Sequence, residues 1–293
     1  MDKLEEFPNN AELDQLLYPG HDLHDVDISK LSINIMPSGF ITLDREYMLL
    51  KEQESELIIV GGRPSMGKSA FMFQLALNVA SYGGVHVFSL EMSRESIVRR
   101  LLSQSMNKPI ESIQRGLVNP ALLAEHLNKL SFLKYFIDDR SGINIVELCD
   151  AARQRHRKVP TKLIVIDYLQ LLRGEKGHSK DDEIGKVTNE LKVLAKEIKC
   201  PIVVASQLNR QCEIRGNQTG DYRPLLSDLR DSGNIEQDAD IVLAVHRDYK
   251  YTRTRANEAD ILILKNRNGK VGELVMKFDY TKTSFEDLGG EVL

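Results

Sequence analysis

The 293-residue sequence has no tryptophan and only three cysteines. Cys149, Cys200 and Cys212 are odd in number and lack C-x-x-C spacing, which argues against a disulfide framework and a zinc site and predicts incidental thiols in a reducing cytosol. No apolar stretch reaches the roughly 18 residues of a membrane span, and the acidic, polar start is unlike a signal peptide. A soluble, intracellular protein without a membrane partner is expected. Aromatic residues make up 6% of the chain, leaving no obvious platform on which bases could stack. Internal repeats and low-complexity tracts are absent as well.

A strong charge of one sign is also missing, since the net charge is −4. That value hides an asymmetry. Residues 1–60 hold thirteen Asp and Glu against Lys3, Lys30, Arg45 and Lys51, a balance of −9, so residues 61–293 carry +5. The larger part is therefore compatible with a phosphate-bearing partner.

What is present most clearly is Gly62-Arg63-Pro64-Ser65-Met66-Gly67-Lys68-Ser69, a complete G-x-x-x-x-G-K-[ST] phosphate loop. It lies between the apolar strand Leu57-Ile58-Ile59-Val60 and an apolar helix that begins at Ala70 and ends before Gly83-Gly84. Glycines let the backbone wrap closely around phosphates and turn N–H groups inward at the positive end of the helix dipole. Lys68 then reaches the β and γ phosphates of a nucleoside triphosphate, and Ser69 binds Mg²⁺.

Apolar segments predict parallel strands at 57–61, 85–90, 132–137, 162–167 and 201–206, alternating with helices at 69–81, 93–105, 121–130, 144–157 and 182–199. The expected fold class is α/β, a mostly parallel sheet covered by helices on both faces. After residue 240 the helices drop out. Ile241–Val245 reads as a strand, and 259–264 with 272–278 read as a C-terminal antiparallel hairpin whose Asn268-Gly269 turn suits positive φ. Residues 1–36 read as an N-terminal arm, with a helix from Asn10 to Leu17 before Pro19-Gly20, and 37–293 as one domain. Between Gln207 and Pro224 a long loop is expected, holding Arg210, Arg215 and Arg223 with Gly216 and Gly220.

Three strand ends carry chemistry. Leu163-Ile164-Val165-Ile166-Asp167 ends in a carboxylate placed for Mg²⁺, the pattern of a Walker B strand. The next residue is Tyr168, so a water-activating base must come from elsewhere, and Glu91, after the strand ending at Leu90, is the candidate. A carboxylate beside Met92-Ser93 equally suits the first turn of a helix. Pro201–Gln207 ends in an amide able to hydrogen-bond a γ phosphate or to cap the next turn.

Gly-Arg-Pro-Ser-Met-Gly-Lys-Ser at 62–69, Phe-Ser-Leu-Glu-Met at 88–92 and Ile-Val-Ile-Asp-Tyr-Leu-Gln-Leu at 164–171 occur in order. They are followed by Ser-Gln-Leu-Asn-Arg at 206–210, the segment 226–240 and Lys-Asn-Arg-Asn-Gly at 265–269. From about Pro37 to Phe285 this ordered set resembles the RecA-like motor domain of DnaB-family replicative helicases. The resemblance implies a homohexameric ring moving 5′ to 3′ on single-stranded DNA during replication, with ATP bound between subunits and with a helicase loader and a primase as further partners.

It also implies roles. Gly62, Arg63, Pro64, Ser65, Met66, Gly67, Lys68, Ser69 and Ala70 would cradle the nucleotide, with Ser69 and Asp167 on Mg²⁺. Glu91 would be the catalytic base and Gln207 the γ-phosphate sensor, and Lys265 and Arg267 would complete a neighbour's site in trans. Arg230-Asp231-Ser232-Gly233-Asn234 resembles the family's pore loop, with Asp231 where Glu is usual, so Arg230, Asp231 and Gly233, together with Arg210, are the expected DNA contacts. Family members carry an N-terminal helical domain for which residues 1–36 are too short. The chain is thus expected to be a minimal helicase of a phage or mobile element, or a motor fragment, with Ala11–Tyr18 docking on an adjacent subunit. The alternatives are a RecA-fold ATPase of recombination and a nucleotide-switched protein that binds a helicase without unwinding.

Overall fold

Six apolar runs form the parallel part of a nine-stranded sheet: β1 (Leu57–Gly62), β2 (Gly84–Ser89), β3 (Tyr135–Asp138), β4 (Thr161–Asp167), β5 (Ile202–Gln207) and β6 (Ile241–His246). β7 (Glu258–Asn266), β8 (Gly272–Asp279) and β9 (Ser284–Asp287) continue it in antiparallel fashion, and the spatial order is β3-β2-β4-β5-β1-β6-β7-β8-β9. The computed structural model describes residues 34–52, 54–172 and 180–288, and gives only the backbone of 180–181 and 230–234. The arm helix expected at 10–17 lies outside these residues.

The helices are α1 (Lys68–Val79), α2 (Arg94–Met106), α3 (Ile110–Gln114), α4 (Pro120–Ser131), α5 (Ile145–Lys158), α6 (Lys180–Ile198), α7 (Gln211–Thr219), α8 (Gly233–Asp238) and α9 (Tyr249–Thr252). Local chemistry sets several boundaries. Asn144 accepts the Glu147 N–H at 3.0 Å while the Glu147 carboxylate accepts the Asn144 N–H at 3.2 Å, a reciprocal cap that starts α5. Asn119 caps α4 ahead of Pro120, whose missing N–H costs nothing in a first turn.

Alternate residues of the central strands enter two apolar layers. Ile58, Val60, Val85, Val87, Leu163 and Val165 pack with α1, whereas Leu57, Ile59, Ile164, Ile166, Ile202 and Val204 pack with α5 and α6. Each such side chain contributes roughly 1.5–3 kcal/mol when fully buried, so burial on both faces fixes the register of these strands. From Ile35 onward the described chain forms one compact unit. No helix among the described residues is long and apolar enough to cross a membrane.

Several expectations need correction. The expected loop after Gln207 contains a two-turn helix, α7, because Tyr222 packs on Gly216 and Gly220 closes the helix at φ 79°. Within it Arg215 is not a solvated loop arginine but forks onto Asp228 at 3.0 and 3.2 Å. Arg223 likewise bonds Glu273 at 2.7 Å. The β7–β8 connection spans 267–271, and neither Asn268 nor Gly269 adopts positive φ. A Cβ at Gly269 would sit 2.6 Å from the Asn266 amide, so a side chain there would displace an amide that donates to the Tyr47 carbonyl at 3.2 Å. The hairpin also gains a third strand, β9.

His86 on β2 is 4% exposed, lies against Phe88 with ring centroids 4.0 Å apart, and leaves Nδ1 without a partner among the described residues. Burial pushes its pKa down to about 4, with Asp138 opposing the shift and Arg155 and Arg140 adding to it. An unfolded chain binds this proton near pH 6.5 and the folded one only near 4. The resulting stability is complete above pH 6.5 and is lost as pH falls through that window, by about 2 kcal/mol at pH 5. Urea midpoints at pH 7.5 and 5.0 should therefore differ less for His86→Asn than for the parent; equal acid sensitivity would contradict this.

Candidate functional site

Register brings the predicted chemistry to one edge. Ser89 of β2 pairs with Asp167 of β4, and Gly62 of β1 pairs with Gln207 of β5, so the carboxyl ends of these strands lie side by side. Glu91 lies two residues beyond β2 in a turn fixed by two contacts. Ser89 Oγ donates to the Met92 carbonyl at 2.7 Å, and the Leu90 N–H donates to the Asp167 carbonyl at 2.7 Å. The alternation that buries β2 and β4 therefore also sets Glu91 beside Asp167.

The loop between β1 and α1 turns through Ser65 at φ 67° and Gly67 at φ 105°. A Cβ at Gly67 would lie 3.1 Å from the Phe285 ring and 3.4 Å from Phe278, so only glycine satisfies both the backbone angle and the aromatic wall. Lys68 donates to the Gly62 carbonyl at 2.9 Å and lies more weakly, at 3.5 Å, from that of Arg63. Two members of the loop turn their side chains away from the edge. Met66 is buried in the core, and Arg63 donates to the Leu208 carbonyl at 2.8 Å and to Glu213 at 3.1 Å, leaving them only backbone groups to offer a phosphate.

A cavity of about 450 Å³ opens over this edge, lined by Pro64, Ser65, Gly67, Lys68, Ser69, Ala70, Glu91, Asp167 and Gln207. Burial lowers the pKa of Lys68, against the pull of Asp167 and Glu91. Asp167 is shifted upward, first by burial and further by Glu91, while a hydrogen bond from the Ser69 hydroxyl and the charges of Lys68 and Arg100 oppose the rise. Its Oδ2 is buried with no partner among the described residues. A hydroxyl and a half-satisfied carboxylate on one wall form an oxygen donor set that fits Mg²⁺.

Sequence reasoning missed part of this cavity. Arg100, Tyr168, Arg247, Phe278, Tyr280 and Thr283 also line it. Burial lowers the pKa of Arg100, with Asp167 and Glu91 opposing. It stands on α2 beside the buried Ile97 and Leu101, and a cation bordering an apolar stripe was the one signal available. Arg247 lies over the Phe278 ring at 4.5 Å, and its Nε, like Thr283 Oγ1, has no partner among the described residues. Three cations against two carboxylates give the cavity a net positive wall.

Other predicted residues lie elsewhere. Lys265 and Arg267 stand at the far end of β7, where Asn266 pairs with Ile241 at the start of β6, so they sit at the opposite edge of the sheet from Lys68. Lys265 donates to the Glu236 carbonyl at 2.6 Å, and the Arg267 guanidinium is 71% exposed, 3.6 Å from Asp240. Arg210 is exposed at the start of α7. Arg230 and Asp231 fall in a 3₁₀ turn, Leu226–Ser232, that runs directly into α8 at Gly233.

The family model for the DnaB-like helicase C terminal domain matches residues 36–287. The replicative DNA helicase DnaB of Rickettsia typhi is 38% identical over 286 residues, an alignment covering 86% of this chain and 56% of that protein. Two solved structures superpose with TM-scores of 0.81 at 30% identity, each over 97% of this chain. One is an ATPase domain, matched over its whole length; the other, matched over 68%, is a DnaB-like replicative helicase described with its interactions with primase. The chain spans little more than half the length of the Rickettsia relative.

Proposed function

The chain belongs to the DnaB-like helicase C-terminal domain family, and from that premise we propose that it is the motor of an ATP-driven, ring-shaped DNA helicase acting in replication. The observation that carries this reading is the separation of its polar and charged groups into two sets. Lys68, Ser69, Glu91, Asp167 and Gln207 share one sheet edge, while Lys265 and Arg267 project from the other.

In this reading Lys68 exchanges its carbonyl partners for the β and γ phosphate oxygens of ATP. Ser69 and Asp167 hold Mg²⁺, which when bound neutralises phosphate charge. Glu91 orients a water and accepts its proton, and Gln207 donates its amide toward the γ-phosphoryl group. Arg100 balances the carboxylates. Arg247 and Tyr280 offer flat faces to the base. Lys265 and Arg267 of an adjacent copy neutralise the charge that develops on the transferred group, which requires a homo-oligomer, a hexamer by family pattern.

Arg210, Arg230, Asp231 and Gly233 lie on the segment joining Gln207 to β6 and are the proposed contacts to single-stranded DNA. Backbone phosphates are the expected target, so little sequence preference follows. Primase is a proposed partner, as for the structurally similar helicase, and a loader is another. The setting is the cytoplasm of a bacterial or phage-infected cell.

A forked substrate with a 5′ tail tests the reading. The parent should unwind it with ATP, and Lys68→Ala should lower both unwinding and DNA-stimulated hydrolysis by about a hundredfold or more. Unwinding by Lys68→Ala at the parental rate would overturn the proposal, as would a parent that hydrolyses ATP with DNA yet never separates strands.

A further inference from the structure

β5 reaches the cavity with one side uncovered. Against β1 it is paired as far as Gly62 with Gln207, but against β4 the ladder stops at Ile166 with Val204. β4 ends at Asp167, and the chain then turns away through Tyr168 and the 3₁₀ turn Leu169–Leu171. The Gln207 N–H, which faces that side, is thus beyond the reach of the β4 ladder and has no main-chain partner among the described residues. A strand end with free N–H groups beside a wet cavity frays unless something else bonds it.

The amide of Gln170 takes the vacant side. Its Nε2 donates to Ser206 Oγ at 3.0 Å, and its Oε1 accepts the Gln207 N–H at 3.3 Å. The neighbouring Leu169 is 1% exposed in the core, which fixes the turn from which Gln170 reaches. One residue further along, Arg63 of the phosphate loop donates to the Leu208 carbonyl at 2.8 Å. Glu213 holds that guanidinium at 3.1 Å and is itself bonded by the Tyr251 hydroxyl at 3.1 Å. The end of β5 is therefore gripped from the turn that follows Asp167 and from the loop that carries Lys68.

We propose that Gln170 is a positioning residue that aims Gln207 into the cavity and ties its placement to the strand bearing Asp167, with Arg63 securing the following residue. The inference rests on the reading of Gln207 as facing the γ phosphate. Gln170 does not line the cavity, so it acts through Gln207 rather than on substrate. Its loss leaves the nucleotide's other contacts intact and lets one donor drift. The signature is a fall in kcat without a matching change in nucleotide affinity.

The test is a double-mutant cycle on DNA-stimulated ATP hydrolysis, with binding of a fluorescent ATP analogue and melting temperature measured alongside. Gln170→Met keeps the side-chain length and removes both hydrogen bonds; Ser206→Ala removes only the Nε2 contact. Gln170→Met should lower kcat about tenfold, with KM and analogue affinity within about twofold and an unchanged melting temperature. Ser206→Ala should lose less. The double variant Gln170→Met/Gln207→Ala should be no slower than Gln207→Ala alone. Losses that multiply in the double variant overturn the inference, as does weaker analogue binding by Gln170→Met at parental kcat. Should Gln207→Ala be slow while Gln170→Met runs at the parental rate, the inference falls and the reading of Gln207 stands. Should Gln207→Ala itself keep the parental kcat, both fall together.

Discussion

Glu91→Gln will lower kcat for ATP hydrolysis by about 10²- to 10⁴-fold, the span expected on removing a general base, while nucleotide binding holds or tightens. The substitution is isosteric. It leaves in place the backbone bonds that fix the turn, Ser89 Oγ to Met92 and the Leu90 N–H to Asp167, so the effect reports on the carboxylate alone. Removing a negative charge beside the phosphates also weakens a repulsion in the ground state. No other acid in the cavity can substitute. Asp167 is buried, its carboxylate already bonded by Ser69, and the residue after it is Tyr168, a phenol whose pKa is raised by burial and by Glu91 and Asp167. Glu91 is exposed at the cavity mouth, where a water can reach it. Stopped-time phosphate release and analogue titration check the result. An unchanged kcat would leave Glu91 as nothing more than an acidic group ahead of α2.

Arg267→Ala will cost about 10³-fold or more in DNA-stimulated hydrolysis, the effect associated with losing a charge-neutralising arginine. Its own chain gives it no catalytic work. The contact to Asp240 at 3.6 Å joins an exposed guanidinium to a buried carboxylate that Lys192 and the Leu57 N–H already hold, so its loss leaves Asp240 paired, and the Arg267 N–H to the Asp240 carbonyl survives the substitution. Stability should therefore stay within about 0.5 kcal/mol of the parent. β1 spans six residues from the Arg267 edge to the phosphate loop, about 17–20 Å at the usual rise, further than one side chain extends. A large loss of rate with no loss of stability then means that the arginine serves another copy. A loss below about threefold would return Arg267 to the role of a solubilising charge on a hairpin tip.

The strands and the phosphate edge were legible because both are local. Runs such as Leu163–Ile166 are apolar on both faces, which marks a parallel strand, and a parallel sheet obliges its carboxyl ends to meet. Glu91, Asp167 and Gln207 could be aligned from that rule alone. What escaped depends on distant partners. β9 has one buried apolar residue in four, and Gln74 of α1 completes it, donating to the Phe285 carbonyl and accepting the Phe285 N–H, each at 2.7 Å. Those residues are 211 positions apart, and nothing local to either announces the bond.

α7 escaped because Gly216 reads as a loop marker. In the fold that glycine is a helix interior pressed against Tyr222, and Arg215 is spent on Asp228. The cations that line the cavity from outside the motifs, Arg100 and Arg247, fall among many surface charges in sequence and are singled out only by burial. The far edge has a similar lesson. Lys265 touches the carbonyl of Glu236 in α8, so the segment proposed to meet DNA and the residues proposed to serve a neighbour share a direct contact that sequence spacing does not reveal.

Mixing the two variants tests most directly whether hydrolysis takes place where one copy meets the next. Arg267→Ala protomers keep Glu91 and its cavity, and Glu91→Gln protomers keep the arginine. A seam joining them in one orientation holds a complete set. Hydrolysis in mixtures should rise above that of either variant alone and peak at an intermediate ratio. No rescue at any ratio, or full-rate hydrolysis by a protein that stays a single protomer, would contradict the account.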